Sequence, residues 1–122
     1  MPGKLVHFEV RAQDAVRARS FWGGLFGWKF EDAGMPDMDY QLVRTAEDQG
    51  GAVYPSDEPT GALVVYFDTD DIDASIAKAR ELGGTADDKQ PIPHVGWFAR
   101  CVDTEGNAFS LFQGDQSVQM PS

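Results

Sequence analysis

Leu5-Val6-His7-Phe8-Glu9-Val10 forms the first strand pattern of the chain, and Gly61-Ala62-Leu63-Val64-Val65-Tyr66-Phe67 repeats it with an offset of 57 positions, so that Phe67 falls on Val10. Apolar and polar side chains alternate along the first stretch, which is typical of a strand with one buried and one polar face. The repeat therefore predicts two copies of one structural unit. The copies differ in chemistry, because Val64 falls on His7.

A helix is predicted after the strand in each copy. Asp14 and Asp71 offer side-chain acceptors for the first helical N–H groups, and Gly27 and Gly83-Gly84 are typical helix ends. Apolar residues at roughly helical spacing predict the buried stripe of each helix. They are Val16, Phe21, Leu25 and Phe26 in the first helix and Ile72, Ile76, Ala79 and Leu82 in the second.

Short strand patterns separated by turn formers fill the rest of each copy. In the first copy they are Trp28–Phe30, Tyr40–Thr45 and Ala52–Tyr54. In the second copy they are Val95–Val102 and Asn107–Gln113, with a short extra strand at Ala86.

These patterns predict an α+β fold over residues 1–122, as a single domain in which two tandem βαβββ units form a curved, half-open barrel. The units cover about 4–55 and about 62–114, and a connector rich in proline and polar residues lies at about 55–61. The tail at about 115–122 is expected to be poorly ordered. Strand residues that face away from the helices are expected to line a concave cup, where function should lie.

Composition restricts the classes of function. The chain is 42% hydrophobic and 25% charged, and it contains neither a run of ~20 apolar residues nor a signal-peptide core, so we expect a cytoplasmic protein with no membrane segment. The single cysteine, Cys101, fits a reducing compartment and is expected to be structural. The net charge of −10 argues against a nucleic-acid partner. An acidic surface favours a cationic small molecule, and solubility is the other explanation for it.

Four stretches carry a family resemblance: Val6–Val10, Phe21–Trp28, Val64–Phe67 with Asp70–Asp73, and Asp103–Phe112. They resemble the vicinal oxygen chelate superfamily, which includes glyoxalase I, bleomycin resistance proteins, methylmalonyl-CoA epimerase and extradiol dioxygenases. The resemblance extends from Val6 to Gln113 and is strongest to a short, glyoxalase-like subgroup. It implies the half-open barrel, and it also implies a homodimer.

Metal-dependent members of this superfamily hold a divalent ion with about four side chains. Carried over residue by residue, the resemblance retains one of those ligands, His7. The ligand on the first strand of the second unit falls at Val64, and the ligand on the last strand falls at Ser110. No His, Asp, Glu or Gln occurs from Gly51 to Pro55, where the remaining ligand belongs. We therefore predict neither a metal site nor a cofactor, since affinity needs several ligands with matched geometry.

The residues predicted to bind a ligand are His7, Tyr40, Tyr66, Trp97 and Ser110. The resemblance places His7 and Ser110 at ligand positions of the superfamily. Parity relative to His7 puts Tyr66 in the cup, and Trp97 matches Tyr40 across the two copies. Aromatic rings with polar handles suit a small organic ligand. The alternative is that these rings fill the cup and leave no cavity.

Three functions stay open at this point. The leading prediction is a glyoxalase-like or bleomycin-resistance-like protein that binds a small organic molecule without a metal. The second is an enzyme of the lyase, epimerase or dioxygenase type, such as a glyoxalase-like lyase or isomerase. It would use either an atypical metal site or metal-free proton transfer by His7 and Glu9 as catalytic residues. The third is a structural or partner-binding protein with a filled cup.

Overall fold

The computed structural model describes residues 3–57 and 63–119, so most of the predicted connector and the end of the predicted tail lie outside the described residues. The chain divides into two compact units. The N-terminal unit is Val6–Val64, and the C-terminal unit runs from Val65 onward and includes residues 3–5. Residues 3–5 belong there because the N–H of Gly3 donates to the carbonyl of Asp68 at 2.9 Å, and the N–H of Asp68 donates to the carbonyl of Lys4 at 2.9 Å.

The N-terminal unit has the predicted βαβββ order. Strand β1 (Leu5–Ala12) is followed by helix α1 (Ala15–Phe26) and by β2 (Glu31–Asp32), β3 (Gln41–Ala46) and β4 (Gln49–Pro55). Strand β4 lies between β1, with which it is parallel, and β3, with which it is antiparallel. Strand β2 pairs with the outer edge of β3.

The C-terminal unit repeats this order with one extra strand. It contains β5 (Val64–Asp68), α2 (Ile72–Glu81), β6 (Thr85–Ala86), β7 (Gln90–Ile92), β8 (Gly96–Val102) and β9 (Ala108–Gly114). Strand β9 lies between β5, which is parallel to it, and β8. The sequence did not predict β7, which pairs with β8 and contains Pro91. Proline suppresses a strand prediction because it lacks an N–H, yet it is tolerated in an edge strand.

Local capping chemistry sets the helix ends as predicted. The carboxylates of Asp14 and Asp71 accept hydrogen bonds from the N–H groups of Arg17 at 2.9 Å and Ala74 at 3.1 Å. Helix α1 ends at Gly27, whose φ of 72° is the left-handed conformation that glycine adopts without strain. Neither helix in the described part of the chain is long and apolar enough to cross a membrane.

The predicted buried stripe of α1 is wrong. Val16, Phe21, Leu25 and Phe26 are more than half exposed, and Leu82 beyond α2 is also exposed. Helix α1 packs through Ala15, Ala18 and Trp22 against Val10 and Val53 instead. Small residues at this spacing let the helix approach its strands closely, which apolar periodicity alone does not reveal. In α2 the predicted Ile72 and Ile76 are buried.

The register of the two units differs by one residue after the helices. Glu9 pairs with Ala52 in the N-terminal unit, and Tyr66 pairs with Ser110 in the C-terminal unit. Glu9 and Tyr66 are 57 positions apart, whereas Ala52 and Ser110 are 58 apart. The same offset relates β3 to β8, so the counterpart of Tyr40 is Phe98. Because side chains alternate in a strand, a slip of one residue exchanges the faces.

The predicted poorly ordered tail begins with an ordered segment. The N–H of Asp115 donates to the carbonyl of Val95 at 2.9 Å, and the N–H of His94 donates to the carbonyl of Val118 at 2.8 Å. The Val118 side chain is only 5% exposed. Residues 115–118 therefore pack onto the loop before β8, held by these two hydrogen bonds and by burial of one aliphatic residue.

Candidate functional site

A hydrogen-bonded group of three polar side chains lies on the face of the N-terminal unit opposite α1. Val10, and Phe8 beside it, pack toward α1, so the alternation of β1 turns His7 and Glu9 to the other face. The Tyr40 hydroxyl donates to Glu9 Oε2 at 2.7 Å and lies 2.9 Å from His7 Nε2. The structure thus brings together three of the predicted site residues, and we call them the His7–Tyr40–Glu9 group.

Small residues on β4 allow this contact. Tyr40 precedes β3, and β4 separates β3 from β1, so the Tyr40 side chain must cross β4 to reach Glu9. Gly50 and Ala52 are the β4 partners of His7 and Glu9 in the register, and they leave that path open. Ala52 has no exposed surface. The Tyr54 ring, two residues farther along the same face, packs against the Tyr40 ring at a centroid distance of 5.4 Å.

Burial keeps His7 neutral. Loss of solvation lowers the pKa of His7 below its ordinary value, because a buried imidazolium is costly, and the nearby Glu9 carboxylate offsets part of this effect. A neutral imidazole can donate one hydrogen bond and accept another, and it can take up a proton.

An open groove of about 740 Å³ lies beside His7 within the N-terminal unit. Val6 and His7 of β1 and Gly50 and Gly51 of β4 line it. It is also lined by an aromatic residue and by charged residues of both signs: Trp28, Lys29, Glu31, Arg44, Glu47 and Asp48. The groove has the size of a small-molecule site.

Tyr66 and Ser110 lie together in the C-terminal unit as partners in the β5–β9 register. Tyr66 is 9% exposed and Ser110 is 1% exposed. A ligand would reach the Ser110 hydroxyl only after neighbouring side chains moved.

Trp97 lies on the helix-covered face of its unit. The predicted equivalence of Trp97 to Tyr40 is therefore wrong. Its β9 partner, Gln113, accepts a hydrogen bond from the N–H of Ile72 at the start of α2, at 2.8 Å. The Trp97 ring packs against the cluster of Ile72, Ile76 and Ala99, and the Lys89 ammonium lies 4.5 Å from its centroid. The one-residue register slip is the physical reason for the difference.

Cys101 is a structural thiol by its surroundings. It is 3% exposed, and burial raises the pKa of the thiol above its ordinary value, with Asp87 adding to the shift. A thiol that stays protonated is a poor nucleophile.

The residues present do not fit the metal site of the superfamily. His7 Nε2 lies against the Tyr40 hydroxyl, and Val64 and Ser110 supply an aliphatic side chain and a buried neutral hydroxyl. In the part of the chain that the structure describes, no three His, Cys, Asp or Glu side chains are grouped so that they could hold a metal ion.

Sequence reasoning missed the residues that shape the site. Gly50 and Ala52 carry no chemistry of their own, and Trp28, Lys29 and Arg44 reach the groove through the chain's path after α1 and along β3. One signal was present: Gly50, Ala52 and Tyr54 alternate along a strand, which places two small residues and an aromatic residue on one face.

Comparisons with known proteins agree on the family. Residues 7–112 match the family described as the glyoxalase-like domain. A glyoxylase-like domain-containing protein of Didymella fabae is 30% identical over 118 residues, which are 89% of this chain and 92% of that protein.

Solved structures show the same fold. Methylmalonyl-CoA epimerase of Mycobacterium tuberculosis matches with a TM-score of 0.72 and 12% identity, over 92% of this chain and 88% of that one. Homoprotocatechuate 2,3-dioxygenase of Brevibacterium fuscum matches with a TM-score of 0.70 and 19% identity, over 97% of this chain and 38% of that one. The predicted α+β fold of the vicinal oxygen chelate superfamily is confirmed.

Proposed function

The chain belongs to the glyoxalase-like domain family of the vicinal oxygen chelate superfamily, and on that premise we propose that it binds a small organic molecule, without a metal ion, in the groove beside His7. The observation that carries the proposal is that His7 lines an open groove and is hydrogen-bonded within the His7–Tyr40–Glu9 group. Partly burying these polar side chains costs desolvation energy, which the hydrogen bonds between them offset, and the bonds hold the imidazole in one orientation.

The groove favours a ligand with a flat apolar part and a polar end. Trp28, Leu42 and Val43 line the groove and provide its apolar side chains. His7 lines the same groove and provides a polar contact. The overall charge of −10 favours cationic ligands, and the groove is lined by two cationic residues, Lys29 and Arg44, and by three acidic ones, Glu31, Glu47 and Asp48.

The experiment is a binding screen with probes that separate these cases. Benzylammonium, benzoate, benzyl alcohol and benzyl methyl ether share one ring and differ in charge and in hydrogen-bond donors. Zinc, nickel and manganese are tested in parallel. Binding of every probe is measured by thermal shift and calorimetry. We expect at least one organic probe to perturb the amide signals of Gly50 and Gly51, and His7→Gln to weaken its binding. A strong stabilisation by a metal ion that His7→Gln abolishes would contradict the proposal.

Acid–base catalysis is the second candidate, and the neutral, hydrogen-bonded imidazole of His7 favours it. A neutral imidazole accepts a proton from a bound substrate, and the Glu9 carboxylate stabilises the charge that forms. The enzyme would be a lyase, an isomerase or an epimerase. His7→Ala should then abolish turnover in a folded protein, and an unchanged rate would dispose of this candidate.

We also propose a homodimer. The family resemblance supports it, as do the exposed apolar side chains of α1, since single exposed apolar residues are common but a cluster marks an interaction surface. Sedimentation should give a dimer that Leu25→Lys converts to monomers. A wild-type monomer at micromolar concentration would contradict this.

A further inference from the structure

We propose that a second groove, in the C-terminal unit, binds a planar aromatic ring that carries a carboxylate. Residues of α2 and of the β8–β9 hairpin line this groove, which has a volume of about 350 Å³. Both elements contribute apolar residues to it: Ala79, Leu82, Val102 and Phe109. Its lining residues differ from those of the groove beside His7, so the inference does not depend on the function proposed above.

The duplicated fold shows what fills the equivalent space in the N-terminal unit. The helix caps Asp14 and Asp71 align the two helices at an offset of 57 positions, so Ala79 of α2 corresponds to Trp22 of α1. The Trp22 ring packs against the core of its unit and stacks on the Trp28 ring, with a centroid distance of 5.3 Å and an interplanar angle of 9°. The C-terminal unit has a methyl group in place of the indole, and an open groove beside it.

The strands of the C-terminal unit compensate for the absent indole only in part. Phe109 on β9 is the counterpart of Gly51, and its ring meets the Phe67 ring edge-on at a centroid distance of 6.2 Å. Leu82 nevertheless stays 65% exposed and Val102 37% exposed. A planar ring in the groove would cover apolar surface of both residues and contact Phe109, which is a favourable exchange of water for aromatic and aliphatic contacts.

The groove is held open by the way α2 ends. The N–H of Gly84 donates to the carbonyl of Ala79 at 3.0 Å, and Gly83 turns the chain with a φ of 97°. A Cβ at Gly84 would lie 2.7 Å from the carbonyl oxygen of Val102, so the end of the helix is in close contact with β8. The lining residues are therefore fixed before any ligand arrives, as is usual for small-molecule sites.

The charged residues of the groove favour a carboxylate on the ring. Lys78 and Asp103 both line it. The Asp103 carboxylate accepts hydrogen bonds from the N–H groups of Glu105 and Asn107 and from the Asn107 side-chain amide, and these bonds lower its pKa. The Lys78 ammonium pairs with Glu81 at 3.7 Å, and both side chains are mostly exposed. Such a pair contributes little to stability, so Lys78 can turn to a ligand carboxylate.

The test is a titration with indole-3-acetate, indole and tryptamine, which share a ring and differ in charge. Amide NMR locates each probe and calorimetry measures its affinity. We expect indole-3-acetate to shift the amide signals of Leu82, Val102 and Phe109 and to bind about fivefold more tightly than indole, the effect of one exposed ion pair. Tryptamine should bind more weakly than indole-3-acetate. Lys78→Met should reduce the affinity for indole-3-acetate to that for indole.

Filling the groove from within should block it. Ala79→Trp supplies the side chain that Trp22 provides in the other unit, and it should abolish binding of indole-3-acetate. Ala77→Trp is the matched control, because Ala77 is exposed on α2 and does not line the groove. Leu82→Asp, at an exposed position, decides the question if Ala79→Trp fails to fold, and it should weaken binding about tenfold.

Unchanged binding of indole-3-acetate in both Ala79→Trp and Leu82→Asp would overturn the inference. So would shifts confined to Gly50 and Gly51, which line the groove beside His7. An affinity for tryptamine equal to that for indole-3-acetate would overturn the carboxylate. Amide shifts at Gly50 and Gly51 decide the function proposed above, so the two proposals fail separately.

Discussion

The two units solve the same packing problem in opposite ways. In the N-terminal unit, the Phe8 ring on β1 lies over Gly51 on β4, and a Cβ at that glycine would be 2.5 Å from the ring. The corresponding positions of the C-terminal unit are Val65 and Phe109, with the large residue on the other strand. Either arrangement places one aromatic ring in the space below the helix. The duplicated fold therefore constrains the alternation of the strands, and it leaves the individual residues free to diverge.

The opposite faces of the same strands diverged in chemistry. His7 and Glu9 on β1 correspond to Val64 and Tyr66 on β5, and Tyr40 corresponds to Phe98. The hydrogen-bonded group in the N-terminal unit thus has no polar counterpart at the histidine position of the C-terminal unit. This difference supports the ligand site proposed above for the N-terminal unit.

The largest expected effect comes from disturbing the Phe8–Gly51 packing. Gly51→Ala should lower the free energy of unfolding by about 3 kcal/mol, because the added methyl group overlaps the Phe8 ring. Adding Phe8→Val should recover part of this loss, and a double-mutant cycle by urea denaturation measures the coupling. Gly24→Ala is the matched control, since nothing lies within 4 Å of a Cβ there. Equal effects of the two glycine substitutions would contradict the packing argument.

Blocking the path of Tyr40 should have a somewhat smaller effect. Ala52→Leu should cost about 2 kcal/mol, because the side chain is fully buried and the larger residue displaces the Tyr40 ring. Ala52→Gly keeps the path open and should preserve the His7 imidazole signals of the wild type. Thermal unfolding and imidazole spectra together check this, and a wild-type imidazole spectrum in Ala52→Leu would show that the path is not needed.

Removing the Tyr40 hydroxyl should cost about 1.5 kcal/mol, the value of a hydrogen bond to a charged acceptor. Tyr40→Phe retains the ring that packs against Tyr54, whereas Tyr40→Leu removes both contributions and should be less stable. Chemical denaturation of the two variants separates hydrogen bonding from packing. The expectation fails if Tyr40→Phe is as stable as the wild type.

The lowered pKa of His7 predicts a dependence of stability on pH. The unfolded imidazole takes up a proton near 6.5, whereas the folded one does so at lower pH because of burial. Between the two values the unfolded chain binds more protons, so the free energy of unfolding falls as the pH drops below 6.5. The contribution of His7 to stability is fully present above that pH. Unfolding free energies measured from pH 8 to 5 should show this loss in the wild type and not in His7→Gln. Parallel curves of unfolding free energy against pH for the two proteins would exclude a contribution of His7.

The smallest expected effect concerns Trp97. Because of the register slip, its side chain lies on the helix-covered face, and Trp97 is not the counterpart of Tyr40. Lys89→Met should cost about 0.5 kcal/mol by removing the ammonium from the Trp97 ring, and it should shift the Trp97 indole N–H signal. The ion pair of Lys89 with Asp73 adds little, because Asp73 is exposed. Lys78→Met, which removes an exposed ion pair with Glu81, should leave that indole signal in place. An unchanged indole signal in Lys89→Met would refute the contact.

The parts of the structure that the sequence predicted are those set by local rules. Alternation in β1 placed His7 and Glu9 on one face, and Asp14, Asp71 and Gly27 marked helix ends through hydrogen bonds to residues within one turn. The α1 stripe was wrong because a helix of small and aromatic residues offers more than one apolar face, and the choice depends on what lies beneath it.

The sequence by itself therefore determined the duplicated strand–helix unit, the family and the histidine that only one copy retains. Tertiary structure alone decided that Tyr40 crosses β4 to join that histidine, and that Trp97 faces a helix. The physical reason is that strand faces alternate with every residue, so one residue of slip between two units reverses them, and the slip is set by pairing between strands far apart in the chain.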